Sequence, residues 1–201
     1  MKKLQRKKPE RSETGKRLIF SNSREQLSKD FNHRCGYCDD SSEYACCSYH
    51  IDHFAPSKKF EHLQNDYNNF VYSCPYCNIS KSDKWIGNSA EQSIVDGIGF
   101  VDPCDLKYNT IFERLDNGKI KPLNDLAEYI YYELKLYLKR HEILYLIEEI
   151  NEKGLKLKQK IADFKSLGKN TEKLEKIDYE LLKYFRDYYN VYRKVWNRKS
   201  N

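Results

Sequence analysis

Two Cys-x-x-Cys pairs, Cys35/Cys38 and Cys74/Cys77, limit what this chain can become more than any other feature of it. Four thiolates suit a tetrahedral zinc ion, and a closed set of four ligands is structural, not catalytic. A redox dithiol is the alternative reading of such a pair. Residues 39–73 lie between the pairs, so a zinc ion held by all four closes around an inserted element. Zinc binding of about 10–16 kcal/mol, as in finger peptides, is enough to hold strands too short to be stable alone.

The metal reading depends on the thiols being reduced. The chain is 39% apolar with a mean hydropathy of −0.88, and it contains no apolar run long enough to cross a bilayer. Charged residues occupy the N-terminus, where a signal peptide would carry an apolar stretch. The expected location is therefore the cytoplasm, where Cys-x-x-Cys favours metal over disulfide. Seven cysteines, an odd number, also argue against a fully paired disulfide framework. Cys46, Cys47 and Cys104 are read as small hydrophobes without a role.

Charge is concentrated at one end. The first 17 residues hold eight basic side chains against Glu10 and Glu13, which accounts for the whole net charge of +6. Such a segment attracts phosphate without reading sequence, and its other reading is a solvated terminus. The expected organisation is a basic arm over 1–22, a zinc-stabilised domain with a following hairpin over 23–122, and a helical lobe over 123–201.

Local patterns divide these regions further. Ser23 and Gln26 have capping-box spacing, predicting a helix from about Arg24 to Asn32 with Leu27 and Phe31 on one face. Tyr44–His53 reads as a strand entering a loop at Pro56, and Phe70–Tyr72 as a second strand. Pro75 suits a first helical turn, predicting a helix to about Trp85. Asn117-Gly118 signals a type I′ hairpin between Ile111–Leu115 and Ile120. Beyond Asn124, Leu126, Ile130, Leu134, Leu138, Ile143, Ile147 and Ile150 predict one helix broken at Gly154. Two more follow, over about 155–167 and from Thr171 to Trp196, packed as antiparallel hairpins. Ten of the 17 tyrosines fall in this lobe, at a helical spacing that favours the core.

Between the knuckles lies Asp52-His53. A neutral imidazole can take a proton from water near pH 7, and a neighbouring carboxylate can hold a divalent ion that polarises a phosphate. Alone, the dipeptide is a weak signal. The full order, Cys-x-x-Cys, Asp-His, Asn-x-Val-x-x-Cys-x-x-Cys-Asn-x-x-Lys, resembles the HNH (His-Me finger) endonucleases from Cys35 to Lys84.

That resemblance implies an α+β fold: a small ββα-metal nuclease core stabilised by the zinc knuckle pair, with a C-terminal α-helical lobe. It implies His53 as general base and Asp52 and Asn78 as ligands of a catalytic Mg²⁺ or Mn²⁺. It further implies Asn69 as the residue that orients the loop and base, and Lys81 as a cation facing substrate phosphate. The charge of Lys58 and Lys59, in the loop after His53, is read as substrate contact, with plain solvent exposure as the alternative, and the implied substrate is double-stranded DNA.

The opening Met-Lys-Lys-Leu-x-Arg, residues 100–103, the hairpin and Arg140 resemble the branch found in bacterial anti-phage modules of Septu-type and retron-associated kinds. Those nucleases are accompanied by an ATPase subunit, for which the helical lobe is the expected docking surface. His50, three residues before His53, points to the opposite face of a regular strand. His33, His62 and His141 carry no assigned chemistry. The rival reading is a zinc-stabilised nucleic-acid-binding or partner-binding module without catalysis. Such a module has no use for Asp52, His53, Asn69 and Asn78 together.

Overall fold

A computed structural model describes residues 2–45 and 47–196, so Met1, Cys46 and the last five residues lie outside it. The chain divides into two compact units, Met1–His141 and Glu142–Asn201. The expected boundary at 122/123 falls inside the first. No helix among the described residues is long and apolar enough to cross a membrane.

In the first unit, α1 (Arg24–Asp30) is followed by the strands β1 (His50–His53) and β2 (Phe70–Ser73), then α2 (Pro75–Lys81). The strands pair antiparallel, with Asp52 opposite Val71 and His53 opposite Phe70. Two small hairpins follow, β3 (Ile94–Val95) with β4 (Ile98–Gly99) and β5 (Phe112–Arg114) with β6 (Ile120–Pro122), and then α3 (Asp125–Glu133). Leu27, Phe31, Tyr37, Phe70, Val71, Tyr108, Phe112 and Ile130 are buried in one core.

The elements end where local chemistry ends them. Pro75 opens α2 and Ser82, at φ 49°, closes it short of Trp85. The capping box does not form: Ser23 Oγ donates to Ile19 O, and Gln26 Nε2 donates to Asp30 Oδ1. The β5–β6 loop is Asp116-Asn117-Gly118, with Gly118 alone at positive φ (84°) and Leu115 N–H bonded to Lys119 O at 2.9 Å. This is the three-residue connection, in which a type I turn runs into a left-handed glycine, and not the two-residue type I′ turn.

The N-terminal segment is part of the unit, contrary to the solvated-arm reading. Arg114 N–H donates to Lys2 O, and Leu4 is buried. Gln5 Nε2 donates to Gly36 O and Pro103 O at 2.9 and 3.0 Å, while Gln5 Oε1 accepts from Asn109. Arg11 pairs with Asp102 through two bonds of 2.9 and 3.1 Å and donates to Phe70 O. These groups are satisfied from residues about 30 to 100 positions away, so no local pattern marks the segment as structural. Deleting residues 1–17 is expected to destabilise the first unit, which a thermal melt would show directly.

The helical region is segmented differently from its hydrophobic stripe. α3 ends at Glu133, α4 covers Lys139–Ser166 without interruption at Gly154, and α5 covers Glu172–Trp196. Both α3 and α4 close with the same paired bonds: Leu136 N–H to Tyr131 O with Lys135 N–H to Tyr132 O, and Lys169 N–H to Phe164 O with Gly168 N–H to Lys165 O. This is the Schellman pattern, which needs a left-handed residue after the helix. Gly168 (φ 67°) announces it in sequence, whereas Lys135 (φ 55°) does not. Several lobe tyrosines expected in the core are exposed, among them Tyr132, Tyr137, Tyr179 and Tyr184, while Tyr145 and Tyr192 are buried.

Gly154 sits mid-helix, with ordinary φ and nothing within 4 Å of where a Cβ would lie. Gly154→Ala should therefore stabilise α4 by about 0.5–1 kcal/mol, chiefly by reducing unfolded-state freedom. The check is a rise of a few degrees in the thermal midpoint.

Candidate active site and metal centre

The first knuckle is a tight turn: Cys35 N–H bonds to Asp40 O and Asp39 N–H to Cys35 O, while Gly36 N–H reaches Tyr72 O on β2. The second knuckle is the start of α2, where the Cys74 sulfur caps the helix by accepting from Cys77 N–H. The four sulfurs are buried and lie within 4.8 Å of one another. Cys38 and Cys74 sulfurs are 3.8 Å apart, far beyond the roughly 2.05 Å of a disulfide. A zinc–sulfur bond of about 2.3 Å gives a tetrahedral edge of about 3.8 Å. The donor set therefore fits zinc in both chemistry and spacing.

Residues a hundred positions away complete this centre. Arg140 is fully buried, with Nη1 2.8 Å from Asp40 Oδ2 and 3.8 Å from Cys74 Sγ, and its guanidinium lies 3.9 Å from the Tyr76 ring centroid. His141 Nδ1 is 2.7 Å from the same Asp40 oxygen. Burial alone would raise the Asp40 carboxyl, but His141 and Arg140 outweigh it and hold it below the ordinary carboxylate range. Burial pushes the Cys38 and Cys77 thiols up. At Cys74 burial acts in the same direction, and bonds from the other thiols together with Arg140 bring it well below an ordinary thiol. A zinc ion with four thiolates carries two net negative charges, and Arg140 is the cation packed against them. Asp40 and His141 carry no local sequence signal for this role.

β1, the loop after it and α2 enclose an open cleft of about 400 Å³, lined by Asp52, His53, Ser57, Lys58, Asn78 and Asp83 among others. Three of the expected site residues, one from each of two adjacent strand positions and one from the helix, thus meet in one space. Asn78 is half-buried there.

Asn69 does not line the cleft but holds its wall. Its Nδ2 donates to Ala55 O at 2.8 Å and its Oδ1 accepts from Ala55 N–H at 2.7 Å, while Phe54 N–H donates to Asn69 O. One buried carboxamide therefore closes both ends of the loop that leaves β1.

His53 Nε2 is 3.0 Å from Gln64 O and Nδ1 is 3.4 Å from Ser57 Oγ. A backbone carbonyl only accepts, so Nε2 must carry the proton in that bond. In the neutral ring, Nδ1 is then the lone-pair nitrogen. The orientation of the ring is set by a main-chain oxygen 11 residues on.

Asp52 is buried, and its Oδ2 accepts from Tyr37 Oη at 2.6 Å and lies 3.6 Å from Lys81 Nζ. Burial raises the Asp52 carboxyl despite Lys81, and lowers the Lys81 ammonium despite Asp52, so each restrains the other. Oδ1 makes neither contact. An aspartate oxygen and an asparagine carboxamide offer hard oxygen donors, which fit Mg²⁺ or Mn²⁺ with the remaining positions left to water and phosphate.

The lysines sort differently from the expectation. Lys81 cannot face phosphate: it is fully buried, donates to His53 O at 3.0 Å and lies under the Phe54 and Phe100 rings. It shares the inward face of α2 with Cys77 and Ser80, three and four residues apart on a helix. Lys59 is tied to Gly87 O at 2.8 Å and lies outside the cleft lining. Lys58 is exposed and lines the cleft, with only a 3.5 Å contact to Asp83. His50 is exposed on the other side of β1, and His33 meets Ser28.

Two substitutions separate these roles. Cys74→Ser should reduce bound zinc, read by atomic absorption, and lower the thermal midpoint together. Lys81→Met leaves Asp52 buried without its cation and should cost about 3–5 kcal/mol of stability, measured by denaturant unfolding, whereas Lys58→Ala should leave stability unchanged.

No curated protein and no solved structure matches the chain. Residues 35–84 match the family model described as HNH endonuclease, the stretch that carries both knuckles, β1, β2 and α2. An HNH domain at this position points to a nuclease.

Proposed function

We propose that the protein is a metal-dependent endonuclease that hydrolyses phosphodiester bonds in DNA. The observation that carries this reading is the meeting of Asp52, His53 and Asn78 in one open cleft, with His53 held so that Nδ1 is its basic nitrogen. A non-catalytic binding module would need the knuckles but not this convergence.

The residues divide the work. Asp52 and Asn78 would hold a Mg²⁺ or Mn²⁺ ion, which when bound supplies charge stabilisation to the phosphate and the departing oxygen. His53 Nδ1 takes a proton from the attacking water. Gln64 O steadies the imidazolium that results, because Nε2–H still has its acceptor. Lys81 and Tyr37 fix the Asp52 carboxylate, and Asn69 keeps the loop after β1 from shifting His53 relative to the helix. Lys58, exposed at the rim, meets the phosphate backbone. This makes the site a ββα-metal core braced by the zinc knuckles.

The cytoplasm is inferred from the low hydropathy and the charged N-terminus and double-stranded DNA from the resemblance over residues 35–84, whereas a role in anti-phage defence beside an ATPase subunit rests on the resemblance outside residues 35–84. The residues that carry it include Asp102, the partner of Arg11, and Arg140 in the thiol cluster. They speak to a shared architecture, and a partner is inferred from that alone.

His53→Ala should lower plasmid cleavage in Mg²⁺ or Mn²⁺ by about 10²–10⁴, with zinc content and thermal midpoint unchanged. Full activity in that variant would overturn the general-base role. Lys58→Ala should weaken DNA binding and reduce the slope of its salt dependence by about one, measured by titration at several salt concentrations.

A further inference from the structure

A second cavity, of about 360 Å³, is lined by Phe20, Ser21, Arg24, Ser48, His50 and Ile51 among others. Ile51 lines both this cavity and the catalytic cleft. Phe20 comes from the N-terminal segment, outside residues 35–84, and its backbone N–H is held by Asn65 Oδ1 at 3.2 Å. The adjacent residue, Gln64, holds His53.

Three ring distances place Phe20. Phe20 stacks on His53 with centroids 5.0 Å apart and planes 9° from parallel. Phe70 stands nearly perpendicular to both, 5.5 Å from Phe20 and 5.3 Å from His53. These sides make an almost equilateral triangle, so Phe70 lies against the flank of the stacked pair. Had it covered the far face of Phe20, it would be much farther from His53. Phe70 therefore does not cover that far face, and the Phe20 residue is 38% exposed and lines the cavity.

An exposed aromatic ring beside an arginine, a histidine and two hydroxyls suits a nucleobase, which stacks whatever its identity. Arg24, whose Nη2 donates to Tyr49 O, and His50 are exposed at the cavity. We propose that this cavity is a subsite for an unpaired base of DNA flanking the scissile phosphate, stacked on the far face of Phe20, with Arg24 and His50 toward its sugar-phosphate. The proposal rests on the nuclease reading and deepens it. The consequence is a preference for single-stranded, gapped or distorted DNA at the cut, since an intact duplex must first release a base.

The test is an abasic walk. A short fluorescent single-stranded DNA, with one abasic nucleotide moved along it, is titrated without added divalent ion against the wild type, Phe20→Leu and Phe20→Trp, all confirmed folded by circular dichroism. At one position, base removal should weaken wild-type binding about tenfold. Phe20→Leu should bind the intact strand about tenfold more weakly and lose nothing further at that position, while Phe20→Trp should behave as wild type. Equal affinity of Phe20→Leu and wild type for the intact strand, or losses of the same size at every position in both, would overturn the subsite. Cleavage in Mg²⁺ judges the nuclease reading separately. A wild type that shows the position-specific loss but cuts nothing removes that reading and keeps the subsite. One that cuts while Phe20→Leu binds normally removes the subsite alone, and one that neither binds nor cuts removes both.

Discussion

The four buried sulfurs of Cys35, Cys38, Cys74 and Cys77 are the constraint on which the rest of the first unit depends. β1 and β2 have four residues each and α2 has seven. A pair of strands that short and a helix of two turns are marginal in water. The cluster lies at the β2–α2 junction, where the Cys74 sulfur both belongs to the metal set and caps the helix. Arg140 packs on that sulfur from the far end of the same unit.

From that anchor the candidate active site follows by short steps. Two residues after β1's first position, Asp52 turns inward to Tyr37 and Lys81, and the next residue, His53, faces the cleft. Both residues nonetheless line that same cleft. Lys81 ties them together, since it approaches the Asp52 carboxylate and donates to the His53 carbonyl. A buried lysine is costly unless paired, and here its partners are the two residues whose positions matter most. Rigid support of this kind, from packed groups that do not themselves touch substrate, is what keeps reacting atoms in place.

Much of the site was legible because its signals are local. Cys-x-x-Cys spacing, Asp52-His53 and Pro75 each report on a few neighbouring residues, and the structure puts them at a knuckle, a strand end and a helix start. Lys81 was misread for a reason equally local. Its charge suggested solvent and phosphate, but its place on the Cys77–Ser80 face of α2 turns it inward. The missed helix break at Lys135 has a similar origin, because a left-handed lysine has no compositional mark.

By itself, the sequence determined a set of four cysteines that could hold zinc, the order of strand, loop, strand and helix, and the residue types available for catalysis. Those depend on spacing and on side-chain chemistry, which a linear chain displays. Only the tertiary structure decided that the basic N-terminus is woven into the domain, that Asp40, Arg140 and His141 surround the thiols, and that Gln64 O sets the His53 tautomer. It also decided that Phe20 stacks on His53. Each is a contact between residues well separated along the chain. Buried polar groups must find partners wherever the packed core supplies them, and sequence adjacency carries no record of that.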